Sequence, residues 1–230
     1  MIKAKKYIAI LIILVMAVSL FTACGSDILG GIIGGEKGNY KITAGGWDGD
    51  TFTSEWSNIT FTVPESMRKF TNREMLDITL WLEGAISNHD QSAGVERDLS
   101  KWGAFVDFAV IEKEAEESYV IVYYVGANKN ETAQDFINEL ETENINYVIT
   151  EFGVTPVKTP RSTMRIAGET FQKGGYYIEF TDSEYDDDFT LYTDYLVRKQ
   201  GDLFIVFVVE YDDIDEDIIM QFLNSIKTAG

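Results

Sequence analysis

The sequence predicts an α+β fold, an antiparallel sheet with helices packed on its faces. Three observations carry that expectation. Several stretches alternate apolar and polar residues or run continuously apolar, and short polar turns separate them, which is the pattern of hairpin-linked strands. Three other stretches repeat apolar residues at helical spacing, each needing a partner surface to bury that face. The order is strand, helix, hairpin, helix, strand, meander, helix. It keeps strands beside strands, which favours antiparallel pairing with helices laid on the sheet.

Taken in order, "EWSNITFTVP" places Trp56, Ile59, Phe61 and Val63 on alternate positions and predicts a strand ended by Pro64. A helix is predicted near 73–87, with Asn72 as its N-cap and Ile78, Trp81, Leu82, Ala85 and Ile86 on one face. "SNHDQSAG" reads as a polar loop. "GAFVDFAVIE" and "YVIVYYVG" read as two strands joined by the charged loop "KEAEE". A second helix begins at "NETAQDF", where Thr132 and Asp135 form a capping-box pattern ahead of the stripe Ala133, Phe136, Ile137 and Leu140. "INYVITEF" is predicted as a strand, and "TPVKTP" as a loop held extended by Pro156 and Pro160. Four strands follow near 164–172, 176–181, 189–198 and 203–211, with "KGG", "DSEYDDD" and "KQGD" as joints. A last helix near 214–227 carries Ile218, Ile219, Phe222, Leu223 and Ile226 as its stripe.

The segments "FTVPESM", "RIAGETF" and "YLVRKQGDLFIVFVVEY", with the closing helix, resemble in order and turns the PsbP-like fold, over about residues 50–228. That resemblance implies an antiparallel sheet between helices. Members of the fold are mostly non-enzymatic and several bind other proteins. The resemblance therefore implies a binding role and supplies no site residues.

The N-terminus is read apart from the fold. Lys3, Lys5 and Lys6 precede an almost wholly apolar run, Ile8 to Leu20, and small Ala23 stands before Cys24. Charge, apolar core and small residue in that order describe a secretory signal. "FTAC" resembles the lipobox of bacterial lipoproteins, with Phe21 where that family prefers Leu. The resemblance implies that residues 1–23 are a signal peptide, that Cys24 carries a diacylglyceryl group, and that the protein is held on the extracytoplasmic face of the cell membrane. Two acyl chains suffice for stable anchoring, at about 0.8 kcal/mol per buried CH₂. Residues 24–46 then read as a glycine-rich tether, and 47–230 as one α+β domain.

Composition narrows the chemistry. The chain holds 19 Lys and Arg against 38 Asp and Glu, a formal net charge of −19. Removing residues 1–23 takes three Lys and no acid, leaving 16 basic against 38 acidic residues and a charge of −22. Phosphate neutralisation by basic patches has no basis in such a chain, so no nucleic-acid partner is expected. With Cys24 lipidated no thiol remains, which leaves no disulfide, thiol nucleophile or zinc–thiolate site.

No motif reaches a catalytic signature, so no catalytic residue, cofactor or metal ligand is assigned. The run from Gly30 to Gly35 lacks the lysine of a phosphate loop, because Glu36 stands there. His89 is the only histidine and lies in a polar loop without a nucleophile motif. "TDSEYDDDF" offers Asp182, Glu184, Asp186, Asp187 and Asp188 as hard oxygen ligands, but Asp187 replaces the turn glycine and Thr193 the closing glutamate of a calcium loop. Asp212, Asp213, Asp215, Glu216 and Asp217 precede or open the last helix, where carboxylates complement the helix dipole. Of Trp47, Trp56, Trp81 and Trp102, Trp47 sits in a glycine-flanked loop, "GGWDGD", and is the one expected to be exposed. It is the candidate ligand contact for a protein or glycan partner. The expected function is an extracytoplasmic, membrane-anchored, non-enzymatic module that binds a protein or envelope component. The alternative is a cell-envelope hydrolase using paired carboxylates, whose separation a sequence does not reveal.

Overall fold

The computed structural model describes residues 44–79, 105–180 and 189–230. Three short strands, β1 (Gly46–Asp48), β2 (Thr51–Ser54) and β3 (Ile59–Thr62), form a small antiparallel sheet in that order. The main sheet has eight strands: β4 (Met67–Lys69), β5 (Phe105–Glu112), β6 (Tyr119–Gly126), β7 (Val157–Lys158), β8 (Ser162–Ile166), β9 (Glu169–Phe180), β10 (Phe189–Gln200) and β11 (Leu203–Asp212). Its order is β4-β5-β6-β11-β10-β9-β7, with β8 also paired to β9. Every pairing is antiparallel. Helix α1 occupies 72–79, α2 is Ala133–Phe152 and α3 is Glu216–Ser225. The fold is α+β, as the pattern of hairpins and helical stripes predicts.

Alternation along the strands gives the sheet two buried faces. One packs Val120, Val122, Ile205, Phe207 and Val209 beneath α3 and the small sheet, through Ile219, Phe222, Phe52, Ile59 and Phe61. The other packs Ile121, Tyr123, Phe204, Val206 and Tyr195 beneath α2, through Phe136, Ile137 and Val148, with Met75 and Ile78 of α1 at the margin. A fully buried Leu, Ile or Phe contributes about 1.5–3 kcal/mol, so each cover is integral to the fold. The C-terminal segment closes the first face. Thr60 and Lys227 exchange two backbone hydrogen bonds of 2.8 Å, joining β3 to the residues after α3.

Several elements differ from the sequence expectation. The predicted strand at 145–152 is the second half of α2. Its Ile, Val and Thr residues favour strands locally, but Glu141, Ile145, Val148 and Phe152 recur at helical spacing and face the sheet. Burial outweighs the small propensity difference. Thr132 and Asp135 form the expected capping box, and Gly153 ends α2 at φ +67°.

The joint expected at "KGG" is instead the middle of β9. A Cβ on Gly175 would lie 2.0 Å from the Thr193 carbonyl oxygen, so glycine serves close strand approach there. The turn falls at Ala167 and Gly168, at φ +50° and +80°, the mirror-image turn that suits strand twist. "TPVKTP" contributes the two-residue strand β7. Trp56 lies in a turn, and β3 begins only at Ile59. The predicted loop around Trp47 is a hairpin strand. The small sheet begins at Gly46, and the Gly45 N–H donates to Asp107 Oδ1 at 2.8 Å, so ordered contacts begin inside the expected tether 24–46. In α3, Ile219, Phe222 and Leu223 are buried as expected, Ile226 just beyond the helix is buried too, and Ile218 is half-buried.

Candidate functional site

A cleft of about 390 Å³ opens at the β4 edge of the sheet, lined by Trp47, Lys69, Phe70, Asn72, Met75, Phe108 and Ala109. Four pieces of chain build it, and each is fixed locally. The β1–β2 hairpin brings Trp47 opposite Phe52, and Gly49 at φ +56° makes its turn. Gly45 cannot carry a Cβ, which would fall 2.1 Å from the Phe52 ring. β5 supplies Phe108 and Ala109 next to a register shift between Val106 and Phe108, the kind of bulge that re-aims side chains. Phe70 is tied to that strand by its N–H to the Ala109 carbonyl, 3.0 Å.

The α1 wall is held by one carboxylate with two roles. The Thr71 N–H donates to Glu74 Oε2 at 2.6 Å and the Glu74 N–H to Thr71 Oγ1 at 3.3 Å. Thr71 therefore caps this helix, one residue before the expected Asn72. Glu74 also takes both Nη groups of Arg68, at 3.0 and 2.9 Å, and Arg68 Nε donates to Glu116 at 3.0 Å. The Arg68 guanidinium, helped by the Thr71 cap, holds the Glu74 carboxyl down at about 2. The bond to Glu74 leads in raising Arg68 in turn.

Trp47 is 38 % exposed, and its ring lies 5.0 Å from Phe52 and 5.7 Å, edge on, from Phe61. The Lys69 ammonium sits 5.0 Å over it while bonded to the Gly49 carbonyl (2.8 Å) and Asp50 (3.2 Å). The indole is thus a preorganised, half-open wall rather than a free stacking plate. Leu76 of α1, 39 % exposed, adds a further apolar side chain on the same helix as Met75. Among the described residues no carboxylate lines the cleft. The arrangement can take up an apolar group and offer it the Asn72 amide at the margin. Its described lining presents no acid–base pair.

A buried acid, Asp107, precedes the cleft residue Phe108 on β5. It accepts from Gly45 and from the Tyr124 hydroxyl, and Trp56 covers Tyr124 at 4.6 Å between ring centres. Burial pushes Asp107 up, and burial with the neighbouring Asp107 pushes Tyr124 up. A second buried acid, Glu210, lies on the α2 face in one rung with Tyr119, Thr193 and Tyr176. Burial raises it to about 7, against hydrogen bonds from Tyr119 and Thr193. Motifs and spacing single out neither acid. The available signal is an acid flanked on both sides by apolar or aromatic residues within a strand, Asp107 in "FVDFAVIE" and Glu210 in "LFIVFVVEY".

The other candidate residues do not join the cleft. Cys24, His89, Trp81, Trp102 and Asp182 through Asp188 lie outside the described residues. The acids before α3 order its entry more than they cap it. Asp212 Oδ1 accepts the N–H groups of Ile214 and Asp215, both at 2.9 Å, and Asp215 Oδ2 accepts the Ser118 hydroxyl at 2.9 Å. Asp215 stands at the N-cap without a side-chain cap bond. Among the described residues no three His, Cys, Asp or Glu converge on a metal position, and no helix is long and apolar enough to cross a membrane.

Fold and cleft together define an α+β sheet domain with an aromatic-walled recess at one edge. No protein-family model matches the chain, and no curated protein matches it. Among solved structures it is similar to cyanobacterial PsbP (CyanoP) from Synechocystis sp. PCC 6803, at 10 % identity and a TM-score of 0.45, over 85 % of this chain and 98 % of that one. It is also similar to LpqN of Mycobacterium tuberculosis, a protein involved in cell envelope biogenesis, at 12 % identity and a TM-score of 0.33, over 75 % of this chain and 83 % of that one. Neither similarity assigns an activity or a residue.

Proposed function

We propose that this chain is a lipid-anchored extracytoplasmic binding module that takes an apolar side chain of a partner protein into the Trp47 cleft. The observation that carries the reading is the lining itself. Trp47, Phe70 and Met75 surround the recess, Lys69 and Asn72 line it with them, and among the described residues no carboxylate enters it. Buried aromatic anchors inside a polar rim are what protein interfaces concentrate their energy on. The packed indole favours a protein over a glycan, because Lys69 already sits over the ring. A hydrolase would need two acids converging on a cleft. The buried acids Asp107 and Glu210 are each engaged by hydroxyls instead. Anchoring rests on the sequence "FTAC" at Cys24.

The test places a photo-crosslinking amino acid at position 47 in intact cells, with position 214 as control, since Ile214 is 71 % exposed and outside the cleft lining. A discrete adduct from position 47, absent from 214 and lost with Met75→Asp, is expected. No adduct, or the same adducts from both positions, rejects the cleft. Anchoring is checked separately. Cys24→Ala should leave the membrane fraction or remain unprocessed, and a correctly cleaved Cys24→Ala protein still on the membrane rejects lipidation.

A further inference from the structure

We infer that the free edge of β8 is a docking strand for an extended acidic peptide of a partner protein, independent of the Trp47 cleft. Ile166 and Glu169 close the hairpin around Ala167 and Gly168. A two-residue hairpin makes that closing pair hydrogen-bonded, and antiparallel pairs alternate from there. Met164 and Ser162 therefore bond inward to Phe171 and Lys173, while the backbone N–H and C=O groups of Thr163 and Arg165 point away from β9. Among the described residues β8 has no second neighbour, and Ser162, Thr163 and Arg165 are exposed.

Edge strands are commonly blunted by a bulge or a proline. Here the register runs unbroken from Ser162 to Ile166, and Pro160 lies before the strand. The remaining device is charge, and it selects the occupant. In a chain of net charge −19 this edge is basic. Lys158 and Arg161 share the single buried carboxylate of Glu141, and Lys173 and Arg198 are each matched by one acid, Asp194 and Glu169. Arg165 donates to the Gly168 carbonyl and forms no ion pair among the described residues. The surplus is positive. A second copy paired antiparallel about Thr163 would set Arg161 against Arg165, like charge on like charge, which is destabilising. A strand with acids at alternate positions would instead meet Arg161 and Arg165 on one face and Met164 on the other. Main-chain bonds would supply affinity, and those alternate side chains specificity.

The probe is a fluorescein-labelled peptide of alternating glutamate and valine, with a lysine–valine peptide as control, titrated against the full chain. Binding of the acidic peptide alone is expected, weakening with salt. Thr163→Pro removes an outward N–H without touching the β8–β9 ladder, and Arg165→Glu reverses the charge. Each should weaken binding by about tenfold or more, the scale of one or two lost contacts. Hydrogen exchange at the Thr163 and Arg165 amides should slow on peptide addition. The inference is overturned if both peptides bind equally, if folded Thr163→Pro and Arg165→Glu proteins bind as wild type does, or if those two amides exchange unchanged. A dimer in sedimentation that Thr163→Pro dissolves would also overturn it, naming a second copy as the occupant.

Discussion

The two faces of the main sheet are built on different chemistry. The α3 face is dominated by interlocked rings: Phe61 meets Phe222 at 5.0 Å, Phe108 at 4.7 Å and Phe52 at 5.4 Å, and Phe171 meets Phe207 at 5.2 Å. Its cover comes from the two ends of the described chain, the small sheet and α3. Among the described residues the α2 face is covered largely by one helix, and it keeps polar groups inside. Glu210 lies in its rung of hydroxyls, and Glu141, fully buried, is held by Arg161 and Lys158. Packed rings respond to volume and buried acids respond to protons. The ring packing of the first face should therefore contribute most to stability, while the pH dependence draws on acids of both faces, Glu210 beneath α2 and Asp107 beside Tyr124 on the α3 side.

The sharpest way to break the contrast is Phe222→Ala. Phe222 is fully buried against Phe61, and such truncations cost about 3–5 kcal/mol. That is a large share of the roughly 5–15 kcal/mol a domain has. Chemical denaturation should show a clear fall in midpoint. An unchanged midpoint would make α3 peripheral.

Next in size is Glu210. Its folded value is about 7 against an ordinary 4.5, so the folded state holds a proton that the unfolded state has released. The associated stability is full below about pH 4.5 and is lost as pH rises through about 7, a loss on the order of 3 kcal/mol when complete. Burial raises Asp107 and Asp215 too, so they act in the same direction. Glu210→Gln should flatten the fall and leave the protein more stable than wild type at pH 8. Denaturation midpoints from pH 4.5 to 8 measure it, and parallel curves for the two proteins would refute the assignment.

Smaller still is Thr132→Ala. It removes the α2 cap bond to the Asp135 N–H, 3.1 Å, and should cost about 1 kcal/mol. Asp186→Ala, in the stretch the sequence reads as an acidic loop, should change stability by no more than about 0.5 kcal/mol, as substitutions away from packed or capping positions do. A larger fall there, restored by added calcium in a thermal melt, would reopen the loop as a cation site.

Some of this is legible without any coordinates. β5, β6 and β11 announce themselves as apolar runs, the Thr132 capping box marks where α2 starts, and the stripe of α3 is visible as spacing. Trp47, between glycines, is the candidate contact the sequence offers, and the structure places it in the lining of a cleft. Its companions are not legible, because Lys69, Phe70, Met75 and Phe108 reach it from separate elements. Nor can Asp107 and Glu210 be given roles from sequence, since the hydroxyls that hold them come from neighbouring strands.

The sequence by itself determined the α+β class, the hairpin-rich order and the faces of the clearest elements, because periodicity and turn chemistry act over a few neighbouring residues. Only the tertiary structure decided whether 145–152 would be strand or helix, whether Gly174 and Gly175 would turn or run straight, and which side chains would meet at Trp47. In the first two cases local preference differs by less than about 1 kcal/mol per residue. Burial against a sheet of distant strands outweighs it, and that partner is not written in the segment itself.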